Sequence, residues 1–220
     1  MKYGSTAGIL KPLEELFLPD PRFEHEYLRS QVDERAMNSD DIHERLQISR
    51  IHGGVPERVR TQFETARNLM LYAYFVFEFQ TQAELQAYAA LEFALRERFG
   101  NPTREIKRSD EIKIIPLMLK ELLQRAVKEK LIQPERLPSW EWANERRKWF
   151  ASFYGGEFVP ISAGDWLEII LKHITDFRNH IAHGNPLLHL PHSFTQIELC
   201  ADMINALYPI TNEKAETPNK

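Results

Sequence analysis

Five of the eight histidines fall between residues 173 and 192, and Arg178, Asn179 and His180 stand just ahead of His183 in the stretch TDFRNHIAHGN. Acid–base chemistry on a phosphodiester needs a group that titrates near neutrality, to move the proton, and a fixed cation, to neutralise the charge that develops. His183 and Arg178 are residues of these two types. Asn179, four residues before His183, shares its helical face, where an amide can orient the ring. On a continuous helix five residues would turn His183 about 140° from Arg178. The two therefore converge only if the helix ends between them or a second chain completes the site, and Gly184, next after His183, suits the first arrangement. Metal binding is the other chemistry of paired histidines, and His180 and His183, three apart, could share an ion. No HExxH spacing and no cysteine accompany them, and Asp176 is the only close carboxylate, so the metal reading ranks lower. The structural alternative is a helix C-terminus whose Arg and His side chains pair with the last carbonyls.

Helices must position these residues. Apolar residues recur at spacings of three and four in DWLEIILKHITDFRNHIAHG, so Trp166, Ile169, Ile170, Ile174, Phe177 and Ile181 are expected to face inward, with Gly184 capping the helix and Pro186 stopping it. From Pro56 the same periodicity predicts a first long helix over ERVRTQFETARNLMLYAYFVFEFQ, with Val59, Phe63, Ala66, Met70, Ala73 and Phe77 on its buried face. A second begins at Thr81, where Thr81 and Glu84 have the spacing of a capping box, and ends at Gly100. After a charged linker, TREIKRSDE, a third carries Pro116 in its first turn and turns Leu119, Leu122, Leu123 and Ala126 inward. PSWEWANERRKWFASFYGG reads as a helix ended by Gly155-Gly156. Its Trp142, Arg146, Trp149 and Phe153 stripe could stack on bases, but the favoured reading makes the aromatics core and the charges a solvated face. A last helix opens at Ser193, with Gln196 at the capping-box position, and closes at Pro209. The chain thus reads as an all-α, up-and-down bundle of about five helices over residues 57–210. It is preceded by an N-terminal arm, 1–56, with helical pieces around 12–17 and 22–36, and followed by a disordered polar tail, 211–220.

The whole chain sets outer bounds. Its 220 residues suffice for one domain with a substantial core. The net charge of −4 argues against a strongly basic binding face, though a local basic patch could still hold a short RNA. The single cysteine, Cys200, cannot form an intramolecular disulfide and is expected to be a small buried hydrophobe. With no signal-peptide pattern and no apolar run long enough to span a bilayer, the expected setting is cytoplasmic and away from membranes.

The stretch RNHIAHG resembles the signature of the HEPN superfamily: an Arg followed by a polar residue, then a His after four to six intervening residues. Here these are Arg178, Asn179 and His183, with four residues between the Arg and the His. The resemblance covers about residues 57–210 and implies a helical bundle with the motif late in the chain. It also implies a metal-independent endoribonuclease that needs no cofactor, in which the ribose 2′-OH attacks the adjacent phosphate. Such an enzyme works as a homodimer whose two motifs face one cleft, and is a toxin or defence component paired with an antitoxin or regulatory protein. His183 would be the general acid or base, Arg178 the phosphate clamp and Asn179 the polar positioner. His180 would be auxiliary, and Glu92 in YAALEFALR the acidic residue contributed by another helix. His189 and His192 are assigned to the surface. The alternative on the same fold is a non-catalytic module that binds RNA, nucleotide or a protein partner.

Overall fold

The computed structural model describes residues 10–25, 37–108, 111–182 and 190–210; of residues 24–25, 108, 111, 178–182 and 190–192 it describes the backbone alone. The described residues form seven α-helices and one two-stranded sheet: α1 Ser39–Leu46, α2 Glu57–Tyr72, α3 Phe79–Phe99, β1 Thr103–Arg108, β2 Glu111–Pro116, α4 Leu119–Lys128, α5 Pro138–Tyr154, α6 Ala163–Ala182 and α7 Leu190–Leu207. The protein is mostly helical, with a small antiparallel hairpin.

The core is built around α3. Ala83, Ala87, Ala90, Leu91, Ala94 and Leu95 are all fully buried, and a helix that is apolar on most of its circumference must be covered on most of it. The alanines let neighbours approach closely, and α2, α4 and α7 pack against it. Val59, Phe63, Ala66 and Met70 of α2 fill one side, each with no exposed surface, and Leu122, Leu123 and Ala126 of α4 are buried as the periodicity predicts. Burying a side chain such as Phe63 contributes about 1.5–3 kcal/mol. Cys200 lies wholly inside α7's buried face, as expected of a small hydrophobe.

The long helix expected over 57–80 is broken after Tyr72, and the N-terminal segment supplies the reason. The Asp20 N–H donates to the Tyr74 carbonyl at 2.8 Å, and the Phe77 N–H donates to Asp20 Oδ2 at 3.4 Å. Lys11 Nζ donates to the Phe75 carbonyl at 3.1 Å. Side chains thus satisfy backbone groups that a continued helix would have paired internally. Arg22 bridges Asp20 and Glu78 at 2.7 and 2.8 Å, and Phe23 packs edge-on against Tyr74 and Phe77. Ala73 and Phe77 remain buried, but in the turn.

The segment expected to be a partly helical arm buries Phe23, Met37, Ile42, Leu46 and Val55 in the core. Its helical pieces are short 3-10 turns, Leu13–Glu15 and Pro21–His25, while 26–36 lie outside the described residues. The charged run contains a helix that its composition concealed, α1, started by a reciprocal cap in which Asn38 Oδ1 accepts from the Asp41 N–H and Asp41 Oδ2 accepts from the Asn38 N–H. Ile42 and Leu46 bury its inner face.

The charged linker is a hairpin. Thr103 pairs with Pro116 and Arg108 with Glu111, and the Leu117 N–H closes the base on the Pro102 carbonyl at 3.0 Å. The Ile residues of EIKII suit the extended backbone, since β-branched side chains tolerate it, although Ile112 and Ile114 are exposed. Pro116 thus ends a strand instead of opening a helix, and α4 begins at Leu119.

Other expectations change as well. α3 starts at Phe79 without a side-chain cap, so Thr81 and Glu84 do not form a capping box. α7 starts at Leu190, which places Ser193 and Gln196 inside the helix. Ile169 is 54% exposed, whereas Trp166, Ile170, Ile174 and Phe177 are buried as expected. The aromatics of α5 are the largest departure: Trp142, Trp149 and Phe153 are 50–67% exposed, and Asn144 is the helix's one buried residue. Gly100 and Gly155 do end α3 and α5, with φ of +68° and +72°. The tail 211–220, Gly184 and Pro186 lie outside the described residues.

Candidate functional site

The helix α6 carries the motif. At its start Ser162 Oγ accepts from the Asp165 N–H at 3.1 Å and donates to Asp165 Oδ2 at 2.7 Å, satisfying a free amide of the first turn. The buried Trp166, Ile170, Ile174 and Phe177 then fix which face turns inward for three turns. Arg178, Asn179 and His180 lie on the helical backbone of α6, which is described as far as Ala182. The side chains of Arg178, Asn179 and His180 lie outside the described residues, as do His183, His189 and the side chains of Ile181 and His192.

One turn and a half before the motif, α6 is tied to α3 by a buried polar cluster. Glu84, 1% exposed, accepts from His173 Nε2 at 3.1 Å and from the Tyr88 hydroxyl at 3.0 Å on Oε1, and from the Ser193 hydroxyl at 3.3 Å on Oε2. Because a carboxylate oxygen accepts, the proton of the His173 ring on this side sits on Nε2. The Tyr88 oxygen is also 3.0 Å from Gln196 Oε1. One hydroxyl proton cannot serve two acceptors, so the cluster is satisfied when the Gln196 amide turns its NH2 toward Tyr88 and Tyr88 donates to Glu84. Phe177 packs on both rings, stacked on His173 with centroids 6.0 Å apart and edge-on to Tyr88 at 5.9 Å. Three helices, α3, α6 and α7, meet at one carboxyl group.

Glu84 and Gln196 are the residues whose spacing after Thr81 and Ser193 imitates two capping boxes. Their true role has a sequence signal of its own: Gln80, Glu84 and Tyr88 recur every four residues on a helix otherwise lined with Ala and Leu, and all three are buried. A polar stripe on a helix this apolar must find partners on the neighbouring helices. The Gln80 amide and the Thr81 hydroxyl, at the top of the stripe, are buried without a hydrogen-bond partner among the described residues.

Glu92, one turn beyond Tyr88, is half-buried and accepts from Arg96 Nη2 at 2.7 Å. No protein-family model, curated protein or solved structure matches the chain. The chemistry of the site therefore rests on its own residues. Glu84 has both oxygens occupied by side-chain donors, which suits it to hold His173 and α6 in place and leaves it poorly placed to take a proton from a substrate. Among the described residues no three His, Cys, Asp or Glu side chains are grouped as a metal ion would require, and no helix is long and apolar enough to cross a membrane.

Proposed function

We propose that the protein is a metal-independent endoribonuclease of HEPN type, acting in the cytoplasm on RNA as a homodimer and controlled by an antitoxin or regulatory protein. The observation that carries the reading is that α6, held by the buried cluster at Glu84, carries Arg178, Asn179 and His180 on its last described stretch. The mostly helical architecture, with the motif on its next-to-last helix, agrees with the bundle that the resemblance implies. The Glu84–His173 bond supports it from beneath, because a helix pinned about a turn and a half before Arg178 holds that stretch of backbone with little freedom. Further along, α3 carries Glu92 and α6 carries Arg178, Asn179 and His180, the set expected to face RNA.

In this mechanism His183 takes the proton of the ribose 2′-OH, or returns one to the 5′-leaving oxygen. The 2′-oxygen forms a bond to phosphorus as the P–O5′ bond breaks, leaving a 2′,3′-cyclic phosphate and a 5′-hydroxyl. Arg178 neutralises the phosphorane oxygens and Asn179 orients the imidazole. His180 is auxiliary. RNA cleavage in EDTA by wild type and His183→Ala tests this: activity that survives EDTA and falls at least about 100-fold in the variant is expected, since general acid–base catalysis contributes 10²–10⁴-fold. Equal activity in both proteins overturns it. A second reading, a non-catalytic interaction module, is favoured by one observation, the exposed aromatic face of α5.

A further inference from the structure

Two features have no role in the motif chemistry, and they share a helix. The first is the outer face of α5, where Trp142, Trp149, Phe150, Phe153 and Tyr154 are 39–74% exposed. Trp149 stacks on Phe153 with centroids 5.3 Å apart, Phe150 stacks on Tyr154 at 6.0 Å, and the Arg146 guanidinium lies over both Trp142 and Phe150 at 5.4 and 5.6 Å. The rings are thus held in fixed positions while facing water. Taking about 200 Å² per aromatic side chain, the five present on the order of 500 Å² of apolar surface, as much as the largest patch on a typical monomer.

The second feature is a groove of about 960 Å³ between α1, α5 and α7, with Ile48, Pro138 and Trp142 among its apolar walls. Six carboxyl groups surround it: Asp41, Glu44, Glu141, Glu145, Glu198 and Asp202. The lining holds one cation, Arg45, which is already bonded to Glu198 at 3.3 Å. Six carboxyls against one guanidinium leave the groove with more negative charge than it compensates, even though burial pushes the Glu198 and Asp202 carboxyls up toward their neutral forms.

The N-terminal half of α5 walls the groove through Pro138, Glu141, Trp142 and Glu145, and its C-terminal half carries Arg146, Arg147 and Lys148 together with the exposed rings. Positions 138, 142, 145, 149 and 153 follow one another at steps of three and four, the spacing of a seam between paired helices. Antiparallel pairing of two such helices lays the C-terminal half of each along the N-terminal half of the other. We propose that this face is the docking surface for a second copy of the chain, with the aromatic, basic half of each α5 seated in the acidic groove of its partner. The contact is isologous: a two-fold axis near Glu145–Arg146 sets Trp142 against the partner's Trp149 and brings Glu141 within a turn of the partner's Lys148, twice in each dimer. Five rings and the groove walls together approach the roughly 800 Å² per partner of a standard interface. RNA is the poorer occupant, because phosphates would meet the acidic rim beside Trp142. A homodimer is already part of the ribonuclease reading; the inference adds the face through which the copies meet, and that face requires no catalysis.

Sedimentation equilibrium on the full chain tests it. Wild type is expected at twice the 25.9 kDa chain mass at micromolar concentration. Trp149→Glu is expected to raise the dimer dissociation constant at least tenfold with an unchanged far-UV spectrum. Glu141→Lys sets lysine against lysine and Lys148→Glu sets glutamate against glutamate, so each variant alone is expected to be monomeric and their mixture to form a heterodimer. That rescue in trans distinguishes a self-complementary surface from a misfolded variant. A monomeric wild type, a dimer indifferent to Trp149→Glu, or a mixture that stays monomeric overturns the proposal. So does loss of RNA binding by Trp149→Glu at unchanged mass, which would make the face a base-stacking platform.

Discussion

Replacing Glu84 by Ala removes the acceptor shared by α3, α6 and α7, and the cost can be worked from the three donors it leaves. Without Glu84 the Gln196 amide, 3.0 Å away, can flip to present its oxygen to the Tyr88 hydroxyl, so that loss is partial. His173, with a side chain 28% exposed, can turn its Nε2–H to water. Ser193, 3% exposed, has no such route, and an orphaned buried donor costs about 1–3 kcal/mol. The deleted side chain also leaves a small void among fully buried neighbours, which adds on the order of 1 kcal/mol. The total, about 2–4 kcal/mol, corresponds to a fall in Tm of roughly 5–15 °C for a chain of this size. Urea unfolding at neutral pH measures it as a lowered midpoint with an unchanged slope. Glu84→Gln keeps the volume and one acceptor oxygen, and is expected to lose less than half as much. A Glu84→Ala variant within about 0.5 kcal/mol of wild type would refute the reasoning, because that is the range of surface substitutions away from any packed feature.

Asp20 is pushed up by burial, but hydrogen bonds from Arg22, the charge of Arg22 and the Phe77 N–H outweigh that, so its carboxyl lies below the ordinary 3.8. A depressed folded value contributes stability that is present above the unfolded value and lost as pH falls through the folded one. The stability gap between wild type and Asp20→Asn, followed by urea unfolding against pH, should therefore be full at neutral pH and close below about pH 3.8. Burial pushes the Cys200 thiol well above its usual range. A thiol reagent at pH 8 should leave Cys200 unmodified in the native protein and modify it within minutes in denaturant; equal rates would contradict its burial. Ile112 and Ile114 are 64% and 69% exposed on the hairpin, so Lys at either position should change the urea midpoint by no more than about 0.5 kcal/mol in free-energy terms.

The helices from Pro56 onward were legible because their inward faces repeat at three and four, and Val59, Phe63, Leu122, Ile170 and Ile174 are buried where that spacing places them. What periodicity could not show was anything set by distant partners. No local pattern marks the end of α2 at Tyr72, because the groups that receive its freed amides and carbonyls belong to Lys11 and Asp20. Glu84 and Gln196 fit a local capping rule and were assigned to it; their partners are 89 and 108 residues away in sequence. The aromatics of α5 repeat like a core stripe because a face that packs against another molecule has the same periodicity as one that packs inside its own. The motif itself, Arg178, Asn179 and His183, was legible as residue types late in a helical pattern; the backbone of α6 is described as far as Ala182, and His183 lies outside the described residues.

Helix α1 has a bearing on how the chain is made. It leaves the ribosome well before α7, yet Arg45 bonds to Glu198, 153 residues later, and lies over the Phe194 ring. Just beyond it, the Arg50 carbonyl and the His52 N–H are both taken by the side chain of Asn205. Until α7 has been synthesised, Arg45 lacks both Glu198 and the Phe194 ring, and the Arg50 carbonyl and His52 N–H lack Asn205. At about 5–20 residues per second that interval lasts on the order of ten seconds or more. During it α1 is held chiefly by α2, the helix it packs on, without its later polar contacts. Translation rate thus bears on the yield of this protein through α1, and silent codon changes between α1 and α7 should alter soluble yield without altering the folded product.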